Sequence, residues 1–174
     1  MKLALKNILV NLSQSLSSQC FTATLWVDGH ACFEVKDEGF AEPIIYQALA
    51  TAHIELDTLI NDVSQQACVD AGKKSPYQCL DQAIIRLVDE HQLNTKTTHQ
   101  LRRITFLQGK RLFELAHGLA TDQLAIARLK KSTWWSAENK LLNELPFAEA
   151  LTLLQQHQFR VASFDRNKLA IPPE

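Results

Sequence analysis

From Cys20 to Lys36 apolar residues alternate with polar ones: Phe21, Ala23 and Leu25 share one face of a strand, and Ala31, Phe33 and Val35 one face of a second. Asp28-Gly29 separates the two runs and makes them the arms of a β-hairpin. Residues opposite each other across a hairpin share a sheet face, so a register pairing odd with odd numbers keeps both apolar sets together. A two-residue Asp28-Gly29 turn pairs Val27 with His30 and Leu25 with Cys32, which divides the set. The expected register is therefore a three-residue loop, Val27-Asp28-Gly29 with Gly29 left-handed, pairing Leu25 with Ala31 and Ala23 with Phe33. The other face then carries Thr22 by Glu34, Thr24 by Cys32 and Trp26 by His30.

Elsewhere the spacing is mostly helical. Leu3, Leu5, Ile8, Leu9, Leu12 and Leu16 predict a first helix over Met1 to Ser18. Asp37-Glu38-Gly39 marks a turn, after which Phe40 to Tyr46 reads as a third short strand that Pro43 pushes to an edge. Leu49, Ala52, Leu56, Leu59, Ile60, Val63 and Ala67 predict the longest helix, from Gln47 to about Ala71, with Gly72 as its stop. Ser75-Pro76-Tyr77-Gln78 has the form of a capping box, opening a helix whose buried face is Leu80, Ala83, Ile84, Leu87 and Val88. Arg102 to Leu107 and Arg111 to Leu115 flank Gln108-Gly109-Lys110 as a second hairpin. Thr121-Asp122 caps a helix through about Lys131, Lys140 to Asn143 is a short strand, and Pro146 starts a last helix through about His157. Hairpins mixed with helices predict an α+β fold: a single domain over residues 1–174, in which two β-hairpins forming antiparallel sheet pack against about five helices.

Composition agrees with one folded unit, since 174 residues with 46% apolar content supply a core. No apolar run reaches the roughly 20 residues of a spanning helix, and Lys2 and Lys6 precede no long apolar h-region, so the cytoplasm is the expected compartment. Cys20, Cys32, Cys68 and Cys79 are accordingly expected to be reduced, because a chain with a sufficient core needs no cross-link.

Charge changes the picture more. From Met1 to Thr95 there are 6 Lys+Arg against 12 Asp+Glu; from Lys96 to Lys140 there are 9 against 3; the formal net charge is only −1. A basic stretch attracts phosphate or acidic protein without dictating fold. Arg102, Arg103, Lys110, Arg111, Arg128, Lys130 and Lys131, followed by Trp134 and Trp135, are the candidate interface residues. Cations beside aromatics suit protein hot spots and also single-stranded nucleic acid, where bases stack while phosphates meet Arg and Lys.

Candidate catalysis is thinner. His53-Ile54-Glu55 and Pro76-Tyr77-Gln78-Cys79 resemble the two zinc-binding segments of nucleobase deaminases, H-x-E and P-C-x-x-C, but Tyr77 stands in place of the first Cys and leaves two ligands where three are needed. There is no G-x-S-x-G, no G-x-G-x-x-G and no G-x-x-x-x-G-K-[ST]. No catalytic residue, metal site or cofactor is expected.

Phe21 to Tyr46, FTATLWVDGHACFEVKDEGFAEPIIY, together with Leu141-Leu142-Asn143-Glu144-Leu145-Pro146-Phe147, resembles a group of small uncharacterised proteins encoded on phages, plasmids and genomic islands. Those carry a V-D-G hairpin, a second Asp-Gly turn and a late L-N-x-L-P-F segment; their second turn is usually richer in glycine than Gly39-Phe40-Ala41-Glu42. The resemblance implies a mobile-element or antiviral-defence setting and no activity. The expected function is a non-catalytic binding or accessory subunit working through protein–protein contacts, with a nucleic-acid-binding module as the alternative and a divergent hydrolase as the third.

Overall fold

The computed structural model describes residues 1–11, 19–39, 42–67, 75–133 and 135–164. Among them it shows an α+β fold with two four-stranded sheets and four α-helices, in place of two hairpins and about five helices. The chain divides into two compact units, Met1–His91 and Gln92–Glu174.

The first unit is an antiparallel sheet of β1 (Leu3–Val10), β2 (Cys20–Val27), β3 (His30–Glu38) and β4 (Ile45–Ala48), in that spatial order. Phe21, Leu25, Val27, Phe33 and Val35 are buried on one face with Leu59, Ile60 and Val63 of α1 (Leu56–Ala67) and Leu80, Ile84 and Val88 of α2 (Pro76–Leu101). The expected first helix is thus strand β1. Its register slips between Lys6 and Leu9, with Asn7 left-handed at φ 54°, so Leu3 and Leu5 face the core before the bulge and Ile8 and Val10 after it. A bulge inserts one residue into the alternation, and the resulting three-residue step from Leu5 to Ile8 imitates helical spacing. The remainder of that expected helix, residues 12–18, lies outside the described residues.

The hairpin satisfies both requirements that the sequence set against each other. Its turn is the two-residue one, with Asp28 and Gly29 at φ 47° and 89° and Val27 opposite His30. That is the turn matched to strand twist. A bulge at Cys32 then restores odd-with-odd pairing, Leu25 with Phe33 and Ala23 with Val35, so the expected partners Ala31 and Phe33 are each displaced by two residues. Lys2 N–H donates to Asp28 Oδ1 (2.7 Å) and ties β1 to the same turn.

The helix expected from Gln47 starts at Leu56, because Ile45–Ala48 pairs with β3 as its edge neighbour. The longest described helix is instead α2, opened by the expected capping box: Gln78 N–H donates to Ser75 Oγ (3.3 Å) and Ser75 N–H to Gln78 Oε1 (3.0 Å).

Tyr46 on β4 donates to Asp81 Oδ1 on α2 at 2.7 Å. Burial, followed by this bond, raises the Tyr46 hydroxyl well above its ordinary value. Burial also raises the Asp81 carboxyl, opposed by the bonds from Tyr46 and the Ile44 backbone. The folded chain therefore holds the Asp81 proton to higher pH than the unfolded chain does. That share of stability is present in acid and lost as pH rises through the folded Asp81 pKa, whereas the Tyr46 share is lost only above pH about 10. Tyr46→Phe takes the hydroxyl donor from a half-buried carboxylate that keeps its bond from the Ile44 backbone, and is expected to cost about 1–2 kcal/mol at pH 7, and less in acid, where Asp81 is neutral. Urea unfolding at the two pH values checks this; an equal cost at both would refute it.

The second unit has β5 (Arg103–Gln108) and β6 (Arg111–Leu119) as the expected hairpin, with Gln108 opposite Arg111. It continues through α3 (Gln123–Lys131), β7 (Lys140–Leu141), a 3-10 turn (Leu142–Glu144), α4 (Phe147–Gln156) and β8 (Val161–Phe164). Asp122 caps α3 as expected, accepting from Ala125 N–H at 2.9 Å. The sheet order is β7-β5-β6-β8, with β8 parallel to β6. Both faces are covered. Phe106, Phe113 and Phe164 pack with Ala125, Ile126 and Leu129 of α3, while Leu107, Leu112 and Val161 pack with Ala150 and Leu154 of α4.

Candidate binding surface

The nine interface candidates separate into those the fold already uses and those it leaves facing solvent. Arg103 bonds Glu114 at 3.3 Å, and Gln100 donates to the same carboxylate at 3.0 Å. Lys130 holds Glu144 at 2.6 and 2.7 Å. Arg128, Lys130 and Lys131 all lie in the last turn of α3, where cations also meet the negative end of the helix dipole. Trp135 is half-buried with its ring 5.7 Å from that of Phe106, so it contributes to the core; Trp134 lies outside the described residues. Arg102, Lys110, Arg111, Arg128 and Lys131 are exposed, and none has an ion pair among the described residues.

Lys110 and Arg111, at the β5–β6 turn, line an open groove of about 530 Å³ together with His157 and Arg160, which flank the turn between α4 and β8. The cations of α3 do not line it. Arg160 and His157 escaped the sequence reading because β8 was not expected. Its strand is short, and its parallel pairing with β6 leaves no hairpin signature.

The first unit holds the other notable side chains. The deaminase-like segment does not form a helix there: His53-Ile54-Glu55 precede α1, and His53 Nδ1 lies 3.3 Å from buried Cys32 Sγ. Cys20 and Cys32 are in no disulfide, but Cys79 is disulfide-bonded, which corrects the expectation of reduced cysteines; Cys68 lies outside the described residues. The expectation rested on whether a cross-link was needed, and core size does not exclude one. Disulfides persist in oxidising compartments, which stands in tension with the cytoplasm expected from the sequence. Among the described residues no three His, Cys, Asp or Glu side chains are grouped to hold a metal ion, and no helix is long and apolar enough to cross a membrane.

No protein-family model matches the chain, and neither a curated protein nor a solved structure matches it.

Proposed function

We propose that this chain is a non-catalytic binding or accessory subunit that docks a partner protein through an acidic surface of that partner, set against its own basic second unit. One observation carries this reading: the charge asymmetry divides where the fold divides. Met1–His91 holds 6 Lys+Arg against 12 Asp+Glu, and Gln92–Glu174 holds 12 against 7. A positive field confined to one folded unit steers encounter with an acidic surface. The resemblance noted above favours a mobile-element or antiviral-defence setting for such a subunit. Nucleic acid is less well served, because Trp135 is engaged with Phe106 and is not free to stack on bases.

The test is recovery of partners on tagged chain from its own host, with and without nuclease, against the variant Arg102→Glu/Arg128→Glu/Lys131→Glu. Among the described residues these three exposed cations have no ion pair to lose, so the fold is expected to persist. Partner affinity is expected to fall at least about tenfold, roughly 1.4 kcal/mol, in a nuclease-resistant manner. Undiminished binding by the variant refutes the reading, and loss of all partners with nuclease replaces it with the nucleic-acid alternative.

A further inference from the structure

The groove beside the β5–β6 turn has a feature that docking does not require. Leu112 pairs with Val161 in parallel register, and one step back along both strands places Arg111 beside Arg160. Neighbouring strands are about 4.8 Å apart, so two guanidinium-bearing positions stand side by side, with Lys110 and His157 on the same groove. Like charges directly opposed in a sheet are unfavourable. Elsewhere in this unit Arg103 has Glu114, Lys130 has Glu144 and Lys140 has Glu149, while the unpaired Arg102, Arg128 and Lys131 do not line this groove. Among the described residues Lys110, Arg111 and Arg160 have no ion pair, and no acidic side chain lines the groove.

The chain that delivers Arg160 is also held against its own preference. Gln158 and Phe159 are consecutive non-glycine residues at φ 54° and 53°, in the left-handed region. Phe159 is fixed by packing against Leu112, Leu142 and Leu154 and by its N–H on Leu154 O at 2.8 Å. With Gln158 N–H on Gln155 O at 2.8 Å as well, the left-handed pair completes the C-cap of α4, and the chain leaves it directly into Arg160 and β8.

We propose that this groove is a binding site for a phosphoryl dianion, carried on a phosphorylated side chain or on a small phosphate ester. A carboxylate offers two oxygens and satisfies one guanidinium fork, leaving the neighbouring fork uncompensated. A phosphate monoester presents three terminal oxygens and two charges, enough to engage both forks at once, with Lys110 as a third cation. The aliphatic sides of Leu112 and Val161 offer no competing acceptor. The site stands apart from the docking reading, whose test residues lie outside it.

Inorganic phosphate is titrated into the full chain by calorimetry at constant ionic strength. Saturable one-site binding is expected. Arg111→Ala and Arg160→Ala are each expected to weaken it at least about tenfold, the size of one charge-assisted bond, whereas Lys96→Ala, an equal loss of charge at an exposed position outside both proposed sites, leaves it within about twofold. Arg160→Lys keeps the charge and the strand and is expected to weaken binding severalfold, because the fork is lost. Sulfate at equal concentration displaces phosphate and chloride does not. A phosphoserine peptide and a sugar phosphate then identify the carrier, either one binding more tightly than free phosphate in support of the site. Absence of saturation, or equal weakening by Lys96→Ala, overturns the proposal whatever the pull-down experiment shows.

Discussion

Phe106→Ala is expected to lower the stability of the second unit by about 3–5 kcal/mol, the range for truncating a fully buried phenylalanine. Phe106 has no exposed surface and its ring meets three others: Phe113 at 5.6 Å, Trp135 at 5.7 Å and Phe164 at 5.7 Å between centroids. These come from β6, from the segment after α3 and from β8, so a cavity at this point is lined by groups from separate elements that cannot all close on it. Aromatic pairing adds to the loss beyond the area exposed. Phe106→Leu retains most of the volume and is expected to cost less than half as much. Phe147→Ala, at a position 44% exposed, is expected to stay within about 0.5 kcal/mol. Urea unfolding followed by tryptophan fluorescence measures all three, and a Phe106→Ala cost near 1 kcal/mol would show that the ring cluster does not hold this sheet together.

Asn143→Ala is expected to cost about 2–4 kcal/mol, a large effect for a side chain that is only partly buried. β7 pairs with β5 through Lys140 and Leu141 and then turns away into the 3-10 segment. From there the Asn143 amide continues the ladder by itself. Its Oδ1 accepts from Thr105 N–H at 2.8 Å, and its Nδ2 donates to the carbonyls of Leu101 and Arg103, both at 2.9 Å. Alanine removes a bond from three backbone groups, of which the Arg103 carbonyl still accepts from the Thr105 hydroxyl at 3.2 Å. Asn143→Asp is the sharper comparison: it preserves shape and the bond from Thr105, yet turns a carboxylate toward two carbonyl oxygens, and so is expected to be no more stable than alanine. Recovery of near wild-type stability by Asp would show that the two donated bonds contribute little.

Asn143 also gives a structural reason for the L-N-x-L-P-F segment that stood out in the sequence. Leu142 is buried, Asn143 completes β5, and Pro146 sits at the N-cap of α4. The segment is intelligible as a fold element without any ligand.

What was legible in the sequence was local. The capping box at Ser75, the Asp122 cap, the β5–β6 hairpin and the helix after Pro146 all depend on residues within a few positions of one another. The misses each involved a partner far away in sequence or an inserted residue. The bulge at Asn7 disguised β1 as a helix, and the bulge at Cys32 allowed a turn that parity alone excluded. β8 is defined by its pairing with β6, across α3 and α4. The candidate surface followed the same division. Local runs of Arg and Lys were visible, but the acids that neutralise Arg103 and Lys130, at Glu114 and Glu144, were not predictable from spacing. The pairing that sets Arg160 beside Arg111 required a strand that the sequence pattern did not announce.

The bulge in β1 has a consequence for self-association. An open sheet edge offers unpaired backbone groups to another chain, and long flat edges aggregate. Here the edge at β1 is broken at Asn7, next to Lys6, whose ammonium lies 3.4 Å from the centroid of the Trp26 ring. The opposite edge, β4, is four residues long and follows Pro43; the edges of the other sheet, β7 and β8, have two and four residues. Among the described residues none of these edges offers a long regular template for strand addition by a second copy or a foreign peptide. The two sites proposed above fit that picture, since both rest on side-chain charge rather than on backbone pairing at an edge.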